Sequence, residues 1–145
     1  MVIFVDADGC PVVDIAIEVA KMFNLHIVVV KNYAVEINDN YAEIVTVDIS
    51  HDSADYYIVN RINKGDIAVS QDHGLAAMCL AKGALCINQN GLIINSTNID
   101  GMLNRRYLNQ KLRREKNIYT KFKKRNPQAD EDFRKSLIDL IEKTS

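Results

Sequence analysis

Four aspartates carry the chemistry this chain could do. Asp6 and Asp8 close the apolar run that begins at Val2, Asp55 follows Ser53-Ala54, and Asp72 ends the stretch Val69-Ser70-Gln71. Carboxylates delivered to one place from distant parts of a chain repel one another and raise each other's pKa unless a cation neutralises them. With few candidate nitrogen or sulfur ligands, they select a hard divalent ion, Mg2+ or Mn2+. Such an ion binds substrate phosphates and can activate water for displacement at phosphorus. Each acid also has a separate structural explanation. Asp8 and Asp72 precede helices and could cap them, and Asp55 could complete a capping box with Asp52. Taken together, four carboxylates on one edge outweigh the separate readings. His51 and His73 adjoin the same edge as accessory groups that could shuttle protons or contact phosphate, although a loop His is usually just solvated. Cys10, beside the first pair of acids, reads as packing at a helix start. No Ser-His-Asp or Cys-His arrangement is legible, and neither GxxxxGK[ST] nor GxGxxG occurs, which disfavours nucleotide-dependent chemistry.

To meet, these acids need strands that end together. Val2–Val5 and His26–Val30 are continuous apolar runs, the pattern of strands covered on both faces. Residues 43–49 alternate and read as a third strand, 66–70 as a fourth, 84–88 as a fifth and 91–95 as a short sixth. Between them lie helical patterns: one from Pro11, well placed at a first helical position, to about Asn24, one from Asp52 to about Lys64, and one over Gly74–Lys82. Strands separated by such helices imply right-handed crossovers and a mostly parallel sheet of about five strands in a three-layer α/β/α sandwich. In such sheets, sites lie outside the carboxyl ends of the strands, where strand order reverses. Asp6, Asp8 and Asp72 follow strands, and Asp55 stands in the first turn of a helix on the same edge.

The length of 145 residues fits one domain. It divides into an α/β core, 1–98, and a basic helical extension, 99–145, expected to pack on the core. Residues 1–100 carry five Lys/Arg against thirteen Asp/Glu, whereas residues 101–145 carry thirteen against six. The extension begins with a basic helix to about Lys116, anchored by Leu103, Leu108 and Leu112. A polar connector follows to Arg125. The last helix is capped by Asn126 ahead of Pro127 and presents Phe133, Leu137, Leu140 and Ile141 on one face.

With 48% hydrophobic residues, six Gly and two Pro, the chain is neither disordered nor collagenous. No apolar run approaches the roughly 20 residues of a membrane span. No signal-peptide pattern follows Met1, and three Cys without CxxC spacing read as reduced thiols. A cytoplasmic protein that does not engage membranes is expected.

The stretches DADGCPV (6–12), SADYYI (53–58) and GDIAVSQDHGLAAMCLAKGA (65–84), with Leu112-Arg113, resemble the uncharacterised YaiI/YqxD family over nearly the whole chain. That family is regarded as PIN-like, related to metal-dependent ribonucleases whose acids gather at the carboxyl edge of a five-stranded sheet. The resemblance implies strand order 3-2-1-4-5. It makes Asp6 the principal ligand of Mg2+ or Mn2+, Asp8 the second acid of the same turn, Asp55 the helix acid and Asp72 the acid after the fourth strand.

The reading that follows is a metal-dependent nuclease acting on RNA or another single-stranded nucleic acid. Asp6, Asp55 and Asp72 hold the metal, and Asp8 holds a water or a second ion. Arg105, Arg106, Arg113, Arg114, Lys121, Lys123, Lys124 and Arg125 contact backbone phosphates. Tyr107, Tyr119 and Phe122, interleaved with these cations, could stack on bases or anchor the helix, and for Tyr107 anchoring is preferred. Two alternatives stand beside it. Residues 2–10, VIFVDADGC, imitate the nucleophile motif of haloacid dehalogenase-like phosphatases, with Asp6 phosphorylated and Asp8 as acid/base. Against this, no cap insertion is evident, Gly65-Asp66 precedes its strand, and no Lys stands at a convincing strand end. The other alternative is a non-catalytic RNA-binding or regulatory module.

Overall fold

The structure, a computed structural model, describes residues 1–50, 53–104 and 125–144. His51, Asp52 and residues 105–124, which include Arg105, Arg106, Arg113, Arg114, Lys121, Lys123, Lys124, Tyr107, Tyr119 and Phe122, lie outside the described residues.

The strands are β1 (Val2–Asp6), β2 (His26–Asn32), β3 (Glu43–Val47), β4 (Ile67–Val69), β5 (Leu85–Ile87) and β6 (Ile93–Ile94). They form one six-stranded sheet in the order β3-β2-β1-β4-β5-β6. The first five strands run parallel and follow the order the family resemblance implies, while β6 returns antiparallel to β5. Helices α1 (Val13–Met22), α2 (Ser53–Arg61), α3 (His73–Ala81) and α5 (Pro127–Thr144) cover the sheet, with α4 described over residues 99–104.

The two-residue alternation of a strand divides the core in two. Ile3, Val5, Ile27, Val29, Ile67, Val69 and Ile87 point to one face, where Ala16, Val19 and Ala20 of α1 and Phe133, Leu137 and Ile141 of α5 meet them. Phe4, Val28, Val30, Ala68 and Cys86 point to the other, against Ile58 of α2, Leu75 and Cys79 of α3, and Ile99 and Met102 of α4. This explains the continuous apolar runs: alternate residues serve different helical layers. Burying Phe133 completely contributes about 1.5–3 kcal/mol to holding α5 on the body.

Several boundaries differ from the sequence reading, each for a local reason. Pro11 does not open α1: the Cys10 N–H bonds to the Ala7 carbonyl in a turn, and Val12 is the cap residue, without a side-chain cap. Asp8 is therefore not a helix cap. Helix α1 stops at Met22 because Asn24 turns left-handed (φ 54°) and the Leu25 N–H reaches back to the Ala20 carbonyl. Helix α2 ends at Arg61, short of Lys64, because the buried Asp66 carboxylate takes the Asn63 N–H at 2.9 Å and the Val2 N–H at 3.0 Å. The third strand ends at Val47, two residues before Ile49.

Candidate active site

Strand order reverses between β1 and β4, which are neighbours although the chain visits β2 and β3 between them. Crossovers leave to opposite sides at such a point, and a crevice opens at the carboxyl edge. Val5 lies opposite Val69, so the next residues, Asp6 and Ser70, stand side by side at the mouth of the crevice. Ser70 is buried, and its hydroxyl donates to Asp6 Oδ2 at 3.1 Å while accepting the Asp72 N–H at 2.9 Å.

Above this pair lies a cleft of about 410 Å3 lined by Asp6, Asp8, Ala54, Asp55, Gln71, Asp72 and His73. All four aspartates singled out in the sequence thus border one space, and His73 joins them. Asp6 arrives on β1 and Asp8 on the turn after it. The first turn of α2 carries Asp55, and Asp72 stands at the head of α3. Asp8 is exposed, and its Oδ1 accepts from Asn32 Nδ2 at 2.9 Å, which ties the turn to the end of β2. Asp72 fulfils both of its readings: while lining the cleft it caps α3, its Oδ1 accepting from Gly74 N at 2.8 Å and Leu75 N at 3.2 Å. The proposed partner of Asp55 in a capping box, Asp52, lies outside the described residues.

The electrostatics follow from this crowding. Burial pushes the Asp6 carboxyl up from its ordinary 3.8 to about 6, the Ser70 hydrogen bond pulls it down, and the charges of Asp55, Asp8 and Asp72 add to the upward push. Among the described residues, however, no three His, Cys, Asp or Glu side chains come close enough to clasp an ion between them. The donor set is all carboxylate, suited to a hard cation, and its spread leaves room for water in the shell of any ion it holds.

His73 is the first residue of α3, and its Nδ1 is buried with no hydrogen-bond partner among the described residues. Of the basic residues of the extension assigned to phosphates, Arg125 is the one described. Its guanidinium donates to Asp130 Oδ1 at 2.8 Å, Asn90 Oδ1 at 3.1 Å and the Gln89 carbonyl at 2.7 Å, so three of its donors serve the loop after β5 and the start of α5.

Three contributors escaped the sequence reading: Ser70, Gln71 and Asn32. Gln71 borders the cleft and donates from Nε2 to the Gly9 carbonyl at 3.2 Å, fixing the turn that holds Asp8. The available signal was their position, since Asn32 ends β2 and Ser70 and Gln71 follow β4 at the edge where the acids stand. Cys10 is half-buried near Asp6, and Cys79 and Cys86 are free thiols inside the core.

Comparison with known proteins gives relatives over the full length. A model described as "Uncharacterized BCR, YaiI/YqxD family" matches residues 4–143. The "UPF0178 protein" of Alkaliphilus oremlandii is 46% identical over 142 residues, covering 98% of this chain and 92% of the relative. That of Natranaerobius thermophilus is 44% identical over 141 residues, 97% and 96% of the two chains. Among solved structures, Rae1 (YacP) from Bacillus subtilis, as the W164L mutant, is similar over 98% of both chains at 12% identity, with a TM-score of 0.46. Among the described residues, no helix is long and apolar enough to cross a membrane.

Proposed function

The chain belongs to the YaiI/YqxD family, and on that footing we propose that it is a metal-dependent phosphodiesterase acting on RNA or another single-stranded nucleic acid. The observation that carries the reading is the convergence of Asp6, Asp8, Asp55 and Asp72 on one cleft at the strand-order reversal. Capping accounts for Asp72, but four carboxylates crowded there repel one another, and that repulsion costs stability unless a cation relieves it. Asp6, Asp55 and Asp72 would hold a Mg2+ or Mn2+ ion, the kind of hard cation that an all-carboxylate donor set suits. When bound, the ion supplies Lewis-acid stabilisation at phosphorus and a more acidic attacking water. Asp8, steadied by Asn32, orients water in the cleft or a second ion. Ser70 fixes the Asp6 carboxylate, and capping fixes Asp72. His73, which borders the cleft, would pass a proton there.

Of the two rivals, the phosphatase reading gains nothing from Asp66. That acid faces the opposite, amino edge and is spent on two backbone N–H groups. The loose spacing of the carboxylates favours the non-catalytic module, so turnover has to be measured. Labelled single-stranded RNA is incubated with Mn2+ and wild-type protein, with and without EDTA, and with an Asp6→Asn/Asp72→Asn double variant. Asn caps helices as well as Asp, so α3 keeps its start. Cleavage that is lost in EDTA and in the double variant supports the enzyme. Equal cleavage by both proteins removes the catalytic claim, and RNA binding that survives EDTA without turnover supports the module.

A further inference from the structure

Two aromatic side chains left open to water stand next in sequence to residues that form or steady this cleft. Tyr33 is 70% exposed and Tyr56 61% exposed. Tyr33 follows Asn32, which holds the Asp8 carboxylate, and Tyr56 follows Asp55, which lines the cleft. Ile49, 67% exposed, stands in the connection from β3 to α2 on the same edge. The other two described tyrosines are occupied: Tyr41 donates its hydroxyl to the Leu25 carbonyl, and Tyr57 lies under the Arg61 guanidinium, 3.7 Å from its ring centre. Neither Tyr33 nor Tyr56 has a side-chain hydrogen bond or a cation over its ring among the described residues.

Single exposed apolar residues are ordinary. Two unoccupied aromatic rings, each next in sequence to a residue that builds an acidic cleft, are a different pattern. A carboxylate cleft repels a polyanion until a cation bridges them, so affinity near it has to come from uncharged parts of the ligand. Bases supply that: every base has a π-face, and stacking on an aromatic side chain is sequence-tolerant. We propose that Tyr33 and Tyr56 are base-stacking platforms, which receive the unpaired bases flanking the phosphate that enters the acidic cleft. The inference rests on the nucleic-acid reading above and narrows it to strands whose bases are free. In a duplex the bases stack on one another and their faces are unavailable.

The test measures the affinity of the full chain, in Mg2+, for a short single-stranded oligouridylate made resistant to cleavage by phosphorothioate links. An abasic oligomer of equal length and charge and a duplex of the same length run beside it. The chain has six Tyr and no Trp, so quenching of tyrosine emission reports stacking directly. Tyr33→Ala and Tyr56→Ala should each weaken oligouridylate binding about tenfold, with Tyr33→Phe and Tyr56→Phe close to wild type. The abasic oligomer and the duplex should bind weakly to every variant. Both side chains are exposed, so thermal unfolding of the variants should match wild type. Alanine variants that bind as wild type does, or equal affinity for the abasic oligomer, overturn the stacking role alone. If wild type fails to bind any oligomer, the nucleic-acid reading falls with it.

Discussion

Ser70 donates its hydroxyl proton to Asp6 across the parallel β1–β4 boundary where strand order reverses, at 3.1 Å, and receives the Asp72 N–H at 2.9 Å. One buried oxygen thus sets the orientation of two cleft acids. It is also the interaction that lowers the Asp6 pKa against burial and three neighbouring charges. Ser70→Ala should therefore move the Asp6 titration above 6 and cost about 1–2 kcal/mol, because the Asp72 N–H loses its acceptor. Carboxyl NMR titration reads the first effect and urea unfolding the second. An unmoved Asp6 titration would show that the hydroxyl does not tune this acid.

Asp6 makes the fold weaker where the proposed site is charged. Its folded-state pKa, about 6, lies above the ordinary 3.8, so the native state holds the proton more tightly than the unfolded chain. The stabilisation from that proton is complete below pH 3.8 and is lost as pH rises through 6. The displacement corresponds to ~3 kcal/mol. Without divalent ions, Asp6→Asn should match wild type near the acid end of this window and exceed it in stability at neutral pH. Added Mn2+ should raise the wild-type Tm at neutral pH and leave the variant nearly unmoved, because an ion bound to the native state stabilises by mass action. Parallel Tm curves across the whole range would refute the account of Asp6.

Burial pattern decided which parts of the fold and site were legible in sequence. Residues 2–5 and 26–30 declare themselves as strands because both faces of the sheet are covered, leaving no polar position to interrupt them. Asp6 and Asp72 stand out because they end such segments. Ser70 carried no pattern, since one hydroxyl after Ile67-Ala68-Val69 looks like any strand terminus until the register sets it beside Asp6. The ends of α1 and α2 depend on tertiary partners, Leu25 reaching Ala20 and Asp66 reaching Asn63, which no helical periodicity contains. Tyr56 and Tyr57 are identical in sequence terms, and the rotation of α2 on the sheet alone makes one a free ring and the other a half-buried one.

Asp66 gives the contrasting case of an acid with a structural task. It is 6% exposed and accepts the Val2 N–H at 3.0 Å and the Asn63 N–H at 2.9 Å. It thereby closes the amino edge of the sheet, where β1 starts and the chain after α2 turns into β4. Asp66→Ala strands two backbone donors and should cost about 2 kcal/mol or more. Cleavage per folded molecule should stay within about twofold, because the cleft lies at the other edge of the sheet. Denaturant unfolding and a rate corrected for the folded fraction separate the two effects. A variant of normal stability with impaired cleavage would place Asp66 in the chemistry instead.

Gly91 tests how α5 is held. Its φ of +87° is the left-handed region, and an added Cβ would meet the Asp132 carbonyl oxygen at 2.6 Å and the Phe133 nitrogen at 3.1 Å. All of these atoms are backbone, so neither partner can swing aside as a flexible side chain would. The same junction is bolted by Ser136 Oγ, which donates to the Gly91 carbonyl at 2.5 Å, and by Arg125, which spans Gln89, Asn90 and Asp130. Gly91→Ala should force α5 off the β5–β6 loop and loosen Phe133 from its buried seat, costing about 1–3 kcal/mol from strain and lost packing. Arg125→Ala should weaken the same junction without the clash and by a smaller amount. Hydrogen exchange gives the decisive readout: amides of α5 should lose protection in Gly91→Ala while those of β1 and β2 keep theirs. Unchanged α5 protection would mean that the close approach at Gly91 does not govern the docking of this helix.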